Sequence, residues 1–207
     1  MKKNRALIVI DVQNDFLPGG ALPVPKGDEV IPVINRLLKL PFEHVIATRD
    51  FHPQNHASFA STWGKKAGER ILIGGEEQIL WPDHCVQGTK GAEFPLELDR
   101  TRFEKVVYNK GTNKDVDSYS AFAKDTGLAN FLRKEGASEL YFVGLATDYC
   151  VLYSILDALK EGFTCFIVLD GCRGVDLISH DVDRALEQMQ AKGAKLVTEE
   201  EVTKSFI

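Results

Sequence analysis

The chain has 207 residues, 44% of them hydrophobic and 27% charged, and its 25 basic and 30 acidic side chains leave a net charge of −5. This is globular composition, which excludes a disordered or collagen-like chain, and about 70% of the unfolded surface of a chain this long is buried on folding, enough for one large core. The acidic balance, without a basic run, argues against nucleic acid or an anionic membrane surface as partner. No apolar run approaches the length of a membrane-spanning helix. The chain is expected to form a single domain over residues 1–207.

The basic start, Met1-Lys2-Lys3-Asn4-Arg5, precedes an apolar run at 6–10 that ends at Asp11. That run is too short for a signal-peptide core, so it reads as the first strand of a cytoplasmic protein. Further apolar, β-branched runs follow at 44–48, 106–108, 140–143, 163–169 and, more weakly, 195–197. Most are apolar throughout, the pattern of parallel strands covered on both faces. Apolar stripes of helical spacing lie between them at 28–39, 126–135, 148–161 and 180–192, and Gly136, Gly162 and Gly193 stand where helices stop. The alternation predicts an α/β fold with right-handed crossovers. Residues 49–103 are rich in Gly, Pro, His and Trp and have little periodicity, which predicts a long functional loop.

Open parallel sheets place their sites at the C-terminal ends of the strands. The first strand ends at Asp11, the second at Arg49-Asp50-Phe51-His52 and the third at Asn109-Lys110-Gly111. The fourth ends at Gly144-Leu145-Ala146-Thr147-Asp148-Tyr149-Cys150. Of the four cysteines, Cys85, Cys150, Cys165 and Cys172, no two form a C-x-x-C pair, so free thiols are expected. Cys150 falls in a first helical turn, with Thr147 or Asp148 as N-cap. A helix N-terminus and a nearby lysine lower a thiol's pKa from about 8.5, and the backbone N–H groups of the turn can cradle an oxyanion. With Asp11 and Lys110 the thiol makes a nucleophile, an acid–base group and a cation suited to attack on a carbonyl.

Asp50, His52 and His84 form a three-ligand set of one carboxylate and two imidazoles, with His44 and His56 as competing histidines. His44 opens a strand and reads as structural. Phe16, Trp63, Trp81 and Tyr119 lie in loops after strands, where aromatic rings either pack or stack on a planar ligand.

With these residues in place, five stretches resemble one family. They are ALIVIDVQNDF at 6–16, ATRDFHP at 47–53, WPDHCVQG at 81–88, KG at 110–111 with DSYSAF at 117–122, and GLATDYCV at 144–151. In order and spanning nearly the whole chain, they resemble the nicotinamidases, or pyrazinamidases, of the isochorismatase-like cysteine hydrolase superfamily. The resemblance implies a three-layer α/β/α fold with a six-stranded parallel sheet in the order 3-2-1-4-5-6. It implies an Asp11–Lys110–Cys150 triad, an oxyanion hole from the N–H groups of Ala146 and Cys150, and a cis peptide before Ala146. Phe16, Trp81, Tyr119 and Leu145 would contact the substrate. Asp50, His52 and His84 would hold one divalent metal, zinc first and iron or manganese as alternatives, with Ser58 or His56 reaching it through water. Some relatives carry a further histidine where Ser58 stands here.

The implied activity is hydrolysis of nicotinamide to nicotinate and ammonia in NAD salvage, with pyrazinamide as a second substrate. Another amidohydrolase or isochorismatase of the superfamily is the alternative, and the Asp50, His52 and His84 set separates the two. A non-catalytic binding member is disfavoured by the intact triad. A thiol redox protein is disfavoured by the absence of a nearby resolving cysteine.

Overall fold

The computed structural model describes residues 4–73, 75–103, 107–123 and 126–207. Met1, Lys2, Lys3 and Val106, the first residue of the expected third strand, lie outside the described residues. The main-sheet strands are β1 (Arg5–Ile10), β2 (His44–Asp50), β5 (Tyr108–Lys110), β6 (Glu139–Leu145), β7 (Thr164–Arg173) and β8 (Lys195–Val197). All pair in parallel, in the order β5-β2-β1-β6-β7-β8. Counting these six alone, that is the expected order 3-2-1-4-5-6.

The helices are α1 (Val30–Leu37), α2 (Leu128–Lys134), α3 (Leu152–Lys160), α4 (Asp181–Ala191) and α5 (Glu199–Lys204). Alternation along the buried strands sends successive side chains to opposite faces. Leu7, Val9, Val45, Tyr141 and Val143 pack with Val30, Ile34, Leu37 and Val202 on the α1/α5 face. Ala6, Ile8, Ile10, Leu140 and Phe142 pack with Leu128, Leu132, Ile155 and Met189 on the α2/α3/α4 face. The result is three layers, and each fully buried Leu or Ile contributes about 1.5–3 kcal/mol. No helix among the described residues is long and apolar enough to cross a membrane.

Three local expectations are corrected. The segment 49–103 is not loop throughout, because β3 (Arg70–Ile73) and β4 (Glu76–Ile79) form an antiparallel hairpin. The helix expected at 28–39 begins as a 3-10 turn, Gly27–Glu29, before α1. The helix expected at 148–161 begins as a wide π turn, Thr147–Val151, before α3. Neither Thr147 nor Asp148 caps that turn. Its N-cap is Ala146, whose carbonyl accepts from the N–H groups of Tyr149 and Val151, both at 3.1 Å. The Asp148 carboxylate instead accepts from the N–H groups of Val175 at 2.9 Å and Asp176 at 2.8 Å, fastening the loop after β7 to the Cys150 turn.

Candidate active site

Strand order reverses between β1 and β6, and the residues just beyond these two strands are Asp11 and the Cys150 turn. Gly144 (φ +119°) makes the close approach there possible, since a Cβ would run into the backbone of Ile10. Asp11 takes φ +49°, a conformation aspartate tolerates better than most residues. The Leu145–Ala146 peptide is cis. Across β2 and β5, Asp50 and Lys110 are register partners, which sets their side chains next to each other.

Lys110 is the centre of the cluster and is fully buried. Its Nζ lies 2.9 Å from Asp11 Oδ2 and 3.1 Å from Cys150 Sγ, and it donates to Asp50 Oδ1. Thr48 Oγ1 donates to Asp11 Oδ1 at 2.7 Å. Gln13 brackets the Asp50 backbone, accepting from its N–H and donating to its carbonyl, both at 2.8 Å.

Burial raises the Asp11 carboxyl to about 6, against the opposing pull of Lys110. Burial also pushes Lys110 down, but Asp11 and Asp50 outweigh it and keep the ammonium charged. The Cys150 thiol is held well above the usual range, first by burial and then by Asp50 and Asp11, against Lys110. The depressed thiol pKa expected from a helix N-terminus and a lysine is therefore corrected: burial and two carboxylates outweigh both. Asp11, Asp50 and Cys150 each place a ligand-type atom within 4.8 Å of the others.

The second half of the site lies in the loops. The Nδ1–H of His52 donates to the Gly111 carbonyl at 2.9 Å, and that of His84 to the Pro82 carbonyl at 2.7 Å. A carbonyl can only accept, so both rings keep Nε2 as a lone-pair donor. Burial holds His52 and His84 at about 4, so both rings are neutral near pH 7. Asp50 Oδ2 lies 3.8 Å from His52 Nε2. Burial pushes the Asp50 carboxyl up, but Lys110, His52 and His84 hold it below the usual value, so it is ionised. Asp50, His52 and His84 bring three ligand atoms within 4.8 Å of one another. Gly111 (φ +62°) lets the backbone pass under His52, where a Cβ would strike the imidazole. Two neutral imidazoles with oriented lone pairs and one carboxylate fit a divalent metal.

Between the halves lies a narrow, solvent-open cleft. Phe16, Asp50, Trp81, His84, Tyr119, Ala146 and Cys150 line it. Trp81 Nε1 donates to the Tyr119 hydroxyl at 2.9 Å. Leu22, Val24, Tyr149 and Val175 complete the wall; sequence reasoning missed Leu22, Val24 and Val175 because no motif marks them, and missed Tyr149 although it stands in the GLATDYCV stretch at 144–151. Leu145 is not in the wall; it is fully buried in the core, close to Gly27. Trp63 is exposed and also lies outside the cleft. Ser58 and His56 are buried behind His52, and His44 packs edge-on against Phe131. All four thiols are free and buried.

A profile of the Isochorismatase domain matches residues 5–201. The chain belongs to the isochorismatase family. Within this family it is 45% identical to the nicotinamidase of Escherichia coli over 202 residues, 94% of each chain. The structure of an Acinetobacter baumanii nicotinamidase/pyrazinamidase superposes with a TM-score of 0.92 at 40% identity, covering 98% of this chain and 99% of that one. The pyrazinamidase of Pyrococcus horikoshii, solved in complex with zinc, gives a TM-score of 0.78 at 41% identity, covering 94% and 99%.

Proposed function

We propose that this isochorismatase-family enzyme hydrolyses nicotinamide to nicotinate and ammonia through a thioester on Cys150. The observation that carries the reading is the single buried ammonium of Lys110, which joins nucleophile, acid–base group and metal-side carboxylate at contact distance. The ring enters the aromatic cleft with its carboxamide toward Cys150. Asp11 takes the thiol proton as sulfur bonds to the carboxamide carbon, and Lys110 holds the sulfur and carboxylate in place. The N–H groups of Ala146 and Cys150 receive the oxyanion. Asp11 then passes its proton to the departing ammonia. Water, deprotonated by Asp11, attacks the thioester; nicotinate leaves and the thiol is restored.

Asp50, His52 and His84 would hold one divalent metal, zinc by the Pyrococcus relative and iron or manganese as alternatives for this donor set. When bound, the ion supplies a Lewis acid for the ring nitrogen and offsets the carboxylate charge beside the thiol. Pyrazinamide carries the same carboxamide with a ring nitrogen meta to it and fits as a second substrate. The product is the free acid used in NAD salvage.

Ammonia release from nicotinamide by the purified, metal-loaded protein tests the activity. Cys150→Ala should lower turnover by about 10⁴-fold or more, with the fold kept. Turnover retained in that variant would overturn the mechanism.

A further inference from the structure

The loop after β7 takes no part in the steps above, yet it supplies one wall residue of the cleft, Val175. Val175 is half-buried and packs against the apolar cluster that contains Phe16, Val24 and Ala146. The backbone around it is held from the turn that carries Cys150. There the buried Asp148 carboxylate accepts from the Val175 N–H with Oδ1 at 2.9 Å and from the Asp176 N–H with Oδ2 at 2.8 Å. Hydrogen bonds to a carboxylate are stronger than those between neutral groups. Gly174 lets the loop lie this close, because a Cβ would run into Val182 and the Asp148 carboxylate. Asp176 takes φ +52° and accepts from the Val182 N–H at 3.3 Å, which ties the loop to α4. Arg173 adds an ion pair to Glu29 at 2.8 Å, but an exposed pair holds little. The clamp is therefore Asp148, and it runs from the nucleophile's own turn to the wall of the cleft.

That wall is chemically uneven. Asp50, His84 and Cys150 can bond to polar atoms, whereas the side chains of Leu22, Val24 and Val175 can neither donate nor accept. In nicotinamide the carboxamide and the ring nitrogen stand meta to each other, so one C–H edge of the ring points away from both. With the carboxamide at Cys150 and the nitrogen toward Asp50 and His84, that edge is the part of the ring that suits an apolar wall.

Resting on the proposed activity, we infer that Val175 is a specificity-determining residue that meets this C–H edge, and that Asp148 is the positioning residue that holds it there. The site then takes planar six-membered heteroaromatic carboxamides that are bare on that edge. A methyl group on the edge would drive into Val175, and the two bonds from Asp148 keep the loop from swinging aside. Packed walls resist even one added carbon.

Binding of two amides tests this, with nicotinamide and 5-methylnicotinamide as probes; the latter carries its methyl group on the edge in question. Calorimetry is run on the metal-loaded full chain carrying Cys150→Ala, so that no turnover intervenes. The methylated amide should bind about 10-fold or more weakly than nicotinamide. Adding Val175→Ala should remove most of that ratio by tightening the methylated amide, and Val175→Thr, which keeps the branched shape, should preserve it. Asp148→Asn leaves one N–H of the loop without its acceptor and should lower the ratio in the same direction. A merely structural role would weaken both amides together and leave the ratio unchanged. Should Asp148→Asn not fold, Gly174→Ala disturbs the same clamp from the loop side and takes its place. An unchanged ratio in Val175→Ala, or an equal fall in Val175→Thr, would overturn the role of Val175; an unchanged ratio in the clamp variant would overturn that of Asp148. If the protein with Cys150 intact releases no ammonia while the ratios move as expected, the proposed activity falls and this inference stands. If ammonia is released but the ratios do not move, the inference falls and the activity stands.

Discussion

The two halves of the site are built in different ways. Asp11, Asp50, Lys110 and Cys150 stand at or just beyond the ends of four parallel strands, and sheet register brings them together. His52 and His84 stand in loops, and single bonds to the carbonyls of Gly111 and Pro82 orient them. The strand-end half is a set of buried charges that must balance among themselves. The loop half is a set of neutral donors that balance nothing until a cation arrives. Asp50 belongs to both, with one oxygen on Lys110 and the other near His52. Loss of a strand-end group should therefore cost stability as well as chemistry, and loss of a loop ligand should cost mainly the ion.

Lys110→Met breaks this contrast most severely if it is wrong. The substitution keeps the length of the side chain and leaves Asp11 and Asp50 buried with no cation between them. Removing one partner of a buried ionic set costs about 3–5 kcal/mol. Denaturant unfolding should show a loss of that order, together with loss of ammonia release. A stability change within about 0.5 kcal/mol would mean that the strand-end charges are not coupled as the geometry requires.

His84→Ala probes the other half. It removes one hydrogen bond and some packing, about 1–2 kcal/mol in the metal-free protein, and should abolish stoichiometric metal binding. Metal at 100 times its Kd stabilises a native-state binder by about 2.7 kcal/mol. The wild-type protein should show that gain in melts with and without zinc, and the variant should show none. An equal gain in both would place the ion elsewhere.

This contrast also accounts for what could be read from the residues alone. The strand-end half follows from apolar β-branched runs and the polar residue that ends each, because a parallel sheet converts chain order into spatial order. The histidines could be assigned only through the family resemblance, since loop paths are determined by bonds such as His52 to Gly111 that spacing does not encode. Leu145 belongs to a motif stretch, but strand alternation turns its side chain into the core. The thiol's raised pKa escaped because burial and the second carboxylate, Asp50, come from elements distant in sequence. The hairpin of β3 and β4 escaped because its strands are short and carry charge at Arg70, Glu76 and Glu77. The Gly74-Gly75 pair after Ile71-Leu72-Ile73 was a usable turn signal. Helix α5 escaped for its six-residue length, although Thr198 and Glu201 have capping-box spacing.

That capping box supplies the smallest effect and the control for the other two variants. Thr198 Oγ1 accepts from the Glu201 N–H at 3.2 Å, and Glu201 Oε2 accepts from the Thr198 N–H at 2.7 Å. Both residues follow β8, at the edge of the sheet farthest from β5 and Lys110. Thr198→Ala should cost about 1 kcal/mol of stability and leave KM, kcat and metal content at wild-type values. A variant that is less stable but fully active shows that a modest loss of scaffold stability does not reach the site. If Thr198→Ala instead lowered metal content or raised KM, losses seen in Lys110→Met and His84→Ala could not be assigned to their own contacts. The division between charge held by strands and ligands held by loops would then give way to one cooperative unit.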